Sequence, residues 1–135
     1  MEYRLKNELE EIRLLAEAIE LWGKENGIPG KALFQLNLAL DELLTNTITY
    51  AYPEGGEHEI LLRLVPEGEK ELQIEIRDDG LAFNPLEVKA PDIKQDIDER
   101  PIGGLGIHLV RQMIDEIEYR RENGQNILLM RKSLN

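Results

Sequence analysis

The chain has 135 residues, 41% of them hydrophobic, and no cysteine, which gives it the length and apolar content for a single packed domain over residues 1–135 and excludes disulfides and thiolate metal sites. Acidic residues outnumber basic ones 27 to 16, for a net charge of −11 that repels a phosphate backbone, argues against direct nucleic-acid binding and favours a partner with a basic surface, although it also serves solubility. The apolar runs fall far short of the ~20 residues that cross a bilayer and the charged opening MEYRLKNELEE has no signal-peptide core, so a cytoplasmic protein without a membrane segment is expected.

Tyr3 and Leu5 alternate with charged residues, which predicts a short edge strand over residues 2–6. From Leu9 the apolar positions Ile12, Leu15, Ala16, Ile19 and Trp22 recur every three or four residues up to the glycines of 23–29, a first helix in which Trp22 reads as core. A second helix begins near Gly30 and stops at Pro53, which lacks the amide proton a continuing helix uses. Its residues Leu33, Leu36, Leu40, Leu43, Leu44 and Thr47 form one stripe. Glu42 and Asn46, four apart and so about 40° apart around the axis, leave roughly the opposite side together. They either address one ligand jointly or form the solvated side of an amphipathic helix.

Residues 58–65 and 71–77 read as two strands, the second with Leu72, Ile74 and Ile76 alternating against polar residues, joined as a hairpin through PEGEK. His58 stands alone at a turn with no second ligand at metal spacing, so it reads as a surface residue and no zinc site is expected. DDGLAFNP, residues 78–85, closes the strand, and residues 86–100 form a polar loop long enough to act as a lid. Gly103, Gly104, Leu105 and Gly106 then lead into Ile107, Val110, Ile114 and Ile117 at helical spacing. Helix-start amides beside glycines that let the backbone approach closely make a general anion site, fit for a triphosphate; a flexible start to the helix is the plain alternative. Neither glycine cluster matches a P-loop or a Rossmann fingerprint. Residues 118–121 and 126–132 flank the Asn123-Gly124 turn as a last hairpin. The order β, α, α, β, β, loop, α, β, β predicts an α+β two-layer sandwich, a mostly antiparallel sheet with helices on one face.

Three features thus occur in one order: Glu42-x-x-x-Asn46 on a helix, Asp78-x-Gly80 after a strand, and Gly103-Gly104-x-Gly106 before a helix. Together they resemble the N, G1 and G2 boxes of the superfamily that unites gyrase, heat-shock chaperone, histidine-kinase and mismatch-repair ATPases, which have a Bergerat-type ATP-binding fold. Within it, nearly the whole chain resembles the stand-alone anti-sigma-factor serine/threonine kinases, including Phe83 and Pro85 after G1 and Asp115, Tyr119, Arg120, Asn126 and Lys132 in the tail. The resemblance implies ATP and Mg²⁺ as cofactors, with nucleotide contacts from Asn46, Asp78, Gly80, Ala82, Phe83, Gly103, Gly104, Leu105 and Gly106, Asn46 as the metal ligand and Glu42 as the catalytic residue. It also implies a sigma factor and an anti-sigma-factor antagonist as partners, and a homodimer.

The residue types suit those roles. Asp78 accepts a hydrogen bond from the exocyclic amine of adenine and meets the carbonyl of guanine with like polarity; Asp79 is the neighbouring alternative, but the D-x-G spacing favours Asp78. Asn46 offers Mg²⁺ a neutral oxygen, and Glu42 orients or deprotonates a hydroxyl that attacks the γ-phosphate. Two positions depart from the pattern: Tyr50 stands where many members have histidine, and Ala82 where G1 often has a second glycine. Tyr50 leaves room for a second reading, an ATP-gated partner-switch module without efficient transfer. A histidine-kinase-type ATPase domain is a third, disfavoured because His58 and His108 sit at a turn and inside a helix and not on a dimerisation helix.

Overall fold

Period-two alternation builds a five-stranded sheet, since residues two apart on a strand share a face. A computed structural model describes residues 1–87 and 104–135, with only the backbone for Gly104 and Leu105. The strands are β1 (Glu2–Lys6), β2 (Glu59–Glu67), β3 (Glu71–Asp78), β4 (Glu116–Glu122) and β5 (Gln125–Ser133), in the order β1-β2-β3-β5-β4 with every pair antiparallel. Register aligns Leu62, Ile76, Leu128 and Tyr119 in one cross-strand row and Leu64, Ile74, Met130 and Ile117 in the next. These rows face three helices: α1 (Glu10–Glu25), α2 (Gly30–Tyr50) and α3 (Gly104–Met113). The outcome is the expected α+β sandwich, with helices on one face.

The opposite face carries Glu2, Arg63, Glu75 and Arg77, linked side by side as ion pairs of 3.2–3.6 Å. Such exposed pairs contribute at most ~1 kcal/mol each, so this face gives solubility and register more than stability. The core is apolar. Helix α2 is its centre, with Leu33, Leu36, Leu40, Leu43 and Leu44 buried as the stripe predicts. Full burial of one leucine contributes ~1.5–3 kcal/mol, so no ion pair on the far face competes with a single residue of this stripe. Trp22 packs half-buried against the same cluster.

Element ends differ from the sequence expectation in small ways. Helix α1 continues through Gly23 to Glu25, where Asn26 and Ile28 donate back to Gly23 O at 3.3 and 2.9 Å and Gly27 takes φ +68° to turn the chain. Strand β2 runs on through Pro66 to Glu67, and Asp78 belongs to β3. Helix α2 ends at Tyr50, and Ala51 N–H closes its last turn on Thr47 O at 2.9 Å. Leu86 and Glu87, expected in the lid, form a 3-10 turn over Pro85–Glu87; the remainder of the proposed lid and Gly103 lie outside the described residues.

Candidate functional site

Helix α2 touches both other parts of the site. Its stripe runs Ala39, Leu43, Asn46 at intervals of four and three, which carries Asn46 to the buried border of the helix, where it is 2% exposed. This corrects the expectation that the pair lies opposite the stripe: Glu42 is half-buried and Asn46 is interior, so for Asn46 the solvated-face alternative falls. Asn46 Nδ2 donates to Glu42 Oε1 at 3.2 Å. That orientation commits the amide nitrogen and leaves Asn46 Oδ1 without a hydrogen bond among the described residues, the atom type that suits Mg²⁺. Burial pushes the Glu42 carboxyl above its ordinary value, the Asn46 hydrogen bond pulls it down, and the charge of Asp41 raises it again. A raised carboxyl is a better proton acceptor.

Helix α3 starts against Glu42. A Cβ at Gly106 would fall on the Glu42 carboxylate, so glycine lets the first turn of α3 pass directly over it. Gly104 and Leu105 form the start of that turn, which aims helix-start amides at the same region.

The third part lies at the end of β3. Leu72, Ile74, Ile76 and Asp78 share one face, so the alternation that buries the isoleucines also turns Asp78 inward, to 5% exposure. Asp79 is out of phase and points away. Asp78 Oδ1 accepts from Gly80 N–H at 2.9 Å and from Asn126 Nδ2 at 2.8 Å. Burial raises the Asp78 carboxyl, the hydrogen bonds from Asn126 and Gly80 lower it, Asp79 raises it and Arg121 lowers it; the net direction is up. Gly80 abuts the end of α2: an added Cβ would meet Ala51 Cβ and Ala51 O at 2.6 Å, and Leu81 N–H donates to the same carbonyl at 2.8 Å. Phe83 packs on Tyr50 with ring centroids 5.4 Å apart. The residue that departs from the N-box pattern therefore ties α2 to the loop after β3. Ala82 is exposed in that loop.

Asn126, which the sequence places in the family-like tail without a role at the site, is central to this end. It pairs with Asp78 across the β3–β5 ladder, and its amide donates to Leu81 O at 2.8 Å as well as to Asp78. Its Oδ1 accepts from Tyr119 OH, Arg121 Nη1 and Phe83 N–H at 2.5, 3.1 and 3.2 Å, while the same Arg121 nitrogen holds Gly80 O at 2.8 Å. The available signal was phase: Asn126 is in step with Leu128 and Met130, and a polar residue on a buried face needs partners. Lys132, also in step, is 3% exposed and bonds Met113 O at the end of α3 and Gln35 Oε1 at 2.9 and 2.8 Å; burial lowers its ammonium.

His58 is not an isolated surface residue. Its Nδ1 lies 3.1 Å from both Asp79 oxygens, and its ring stacks at 4.8 Å on Tyr52, whose hydroxyl donates to Asp79 Oδ1 at 3.0 Å. Burial works against the Asp79 carboxylate, but hydrogen bonds from His58 and Tyr52 outweigh it and hold the carboxyl below its ordinary range. Asp79 is thus engaged, and Asp78 is the carboxylate turned toward the helices. No group of three or more His, Cys, Asp or Glu among the described residues forms a metal cluster, and no described helix is long and apolar enough to cross a membrane.

The chain is similar to known proteins. The family profile of the histidine kinase-like ATPase domain matches residues 5–132. The serine/threonine-protein kinase BtrW of Bordetella bronchiseptica is 31% identical over 97 residues, covering 72% of this chain and 68% of BtrW. The serine-protein kinase RsbW of Bacillus mycoides is 30% identical over 99 residues, 70% of this chain and 60% of RsbW, so the match spans less than two thirds of that relative. Among solved structures, the histidine kinase domain from a blue-light activated histidine kinase of Erythrobacter litoralis aligns with a TM-score of 0.56 at 19% identity, over 93% of this chain and 60% of that one. At that identity the likeness concerns the fold.

Proposed function

Because the chain belongs to the histidine kinase-like ATPase family, in its RsbW- and BtrW-like branch, we propose that it is an ATP- and Mg²⁺-dependent serine/threonine protein kinase. In this reading it acts as a cytoplasmic anti-sigma regulatory factor, phosphorylates an anti-sigma-factor antagonist, and in another state holds a sigma factor, as a homodimer. The observation that supports it is the convergence on α2: Glu42, hydrogen-bonded to Asn46, lies under Gly106 of α3, and Gly80, beside Asp78, packs on Ala51 at the same helix's end.

Each group has a distinct task. Asp78 receives the adenine amine, Gly80 and Gly106 let backbone approach the ligand, and the start of α3 neutralises phosphate charge. Asn46 holds the metal through Oδ1. Bound Mg²⁺ supplies charge neutralisation at the phosphates. Glu42 takes the proton from the serine or threonine hydroxyl as that oxygen attacks phosphorus, and the diphosphate leaves with the bridging oxygen.

Incubation with [γ-³²P]ATP, Mg²⁺ and an antagonist protein purified from the same cell tests the reading, with label expected on one serine or threonine. The ring contact between Tyr50 and Phe83 favours the second reading, a nucleotide-gated switch, because it commits Tyr50 to the loop and away from phosphate. ATP-dependent capture of the antagonist with no label transferred selects the switch; absence of ATP binding at millimolar nucleotide removes both.

A further inference from the structure

Resting on the ATP-binding reading above, we propose that Asn126 is the positioning residue for base selection: it locks the Asp78 carboxylate and residues 80–83 into one rigid acceptor that admits adenine and rejects guanine. A side-chain amide has two N–H donors and one oxygen acceptor, and here both donors and the acceptor are used. Rotating the amide by half a turn would aim N–H groups at Tyr119 OH, Arg121 and Phe83 N–H, all of them donors in this arrangement, so the network permits one orientation.

That orientation fixes the carboxylate next to it. Two donors, Gly80 N–H and Asn126 Nδ2, converge on Asp78 Oδ1, and among the described residues Oδ2 accepts no hydrogen bond. A carboxylate free to turn presents either oxygen at varied angles; this one keeps Oδ2 for a ligand. Discrimination by a buried acceptor depends on that rigidity, because the wrong base must leave the acceptor unpaired with no means of adjusting. The clamp also reaches the loop on both sides of Gly80: Arg121 holds Gly80 O, Asn126 holds Leu81 O and Phe83 N–H. Asp78, the loop and the hairpin β4–β5 thereby move together.

The test compares wild type with Asn126→Ser, which keeps a small polar residue and removes the amide. Calorimetry with Mg·ATP and Mg·GTP is expected to show ATP weakened about 10-fold and GTP changed little, so that the ATP preference collapses. Without nucleotide, a carboxyl-carbon NMR titration is expected to find Asp78 moved further upward in the variant, a readout that a purely structural asparagine would not shift. A folded variant with an unchanged ATP:GTP ratio and an unchanged Asp78 titration overturns the role of Asn126 while the kinase reading stands. A wild type that binds neither nucleotide overturns that reading and the base selection with it. Should Asn126→Ser fail to fold, Tyr119→Phe carries the test: it removes one donor from Asn126 Oδ1 and leaves the packing, with a loss of ATP preference of about 2- to 5-fold expected, and none overturning the proposal.

Discussion

The two ends of the site are built to different degrees. At the Asp78 end, β3, β5, β4 and the loop after Asp78 are cross-linked by at least six hydrogen bonds through Asn126, Arg121 and Gly80. At the Glu42 end, the side chains of Glu42 and Asn46 share one hydrogen bond of 3.2 Å within one helix among the described residues. Recognition of a base is a matter of one fixed acceptor and can be completed before ligand arrives. Phosphoryl transfer instead needs groups that adjust around metal and a moving phosphate, and a site saturated by its own protein would have no valence left for them.

The largest expected effect comes from the sparse end. Glu42→Gln keeps the hydrogen-bonding shape and removes the proposed base, so phosphoryl transfer should fall by about 10²- to 10⁴-fold while calorimetry still shows ATP bound. Transfer at the wild-type rate would take Glu42 out of the mechanism. Next is Asp78→Asn, which retains an oxygen for Gly80 and Asn126 but presents N–H in place of the second oxygen. ATP affinity should drop about 10- to 100-fold, the worth of a hydrogen bond to a charged group. An unchanged dissociation constant would mean that the base is read elsewhere.

The two site glycines sharpen the comparison through stability. Gly80→Ala drives a methyl into the Ala51 backbone carbonyl, which has no freedom to retreat, and should cost about 1–3 kcal/mol in urea unfolding. Gly106→Ala meets first the far end of the Glu42 side chain, so the carboxylate should swing aside with a smaller stability loss and with transfer impaired more than folding. Equal losses of stability in the two variants would show that the Glu42 end is as rigid as the Asp78 end.

The adjacent carboxylates give the smallest and most diagnostic effect, because their folded-state shifts have opposite directions. Asp78 is raised above its ordinary 3.8, so ionising it costs stability above its folded value, and the cost disappears as pH falls below 3.8. Asp79 is lowered from 3.8, so its contribution is present above that pH and is lost as pH falls through its folded value. Asp78→Asn should therefore be no less stable than wild type at pH 7 and should lose any advantage near pH 3. Asp79→Asn, at a side chain 52% exposed, should cost less than about 1 kcal/mol at pH 7 and nothing once both states are protonated. Parallel pH profiles for the two variants, followed by denaturant midpoint, would contradict the assignment of interior and surface roles.

Much of this was determined by the sequence alone. Helical spacing from Leu9 to Trp22 and from Leu33 to Thr47, and alternation from Leu72 to Ile76, identify two helices and a strand because apolar side chains must share a face to leave water. The ordered Glu42–Asn46, Asp78–Gly80 and Gly103–Gly106 signals carried the family, since local spacing is all those motifs require. Only the tertiary structure decided which atoms meet. That Asn46 is interior, that Gly106 clears the Glu42 carboxylate, and that Gly80 clears Ala51 are consequences of how α2 crosses the other elements. His58 and Asp79 are 21 residues apart and Asp78 and Asn126 are 48 apart, and no period in the chain links either pair. Asn126 shows the division most plainly: its phase with Leu128 says that it is buried, but five partners from β3, β4 and the loop after Asp78 become neighbours only when the β3–β5 register is set, and that register is fixed by burial of the whole apolar face at once.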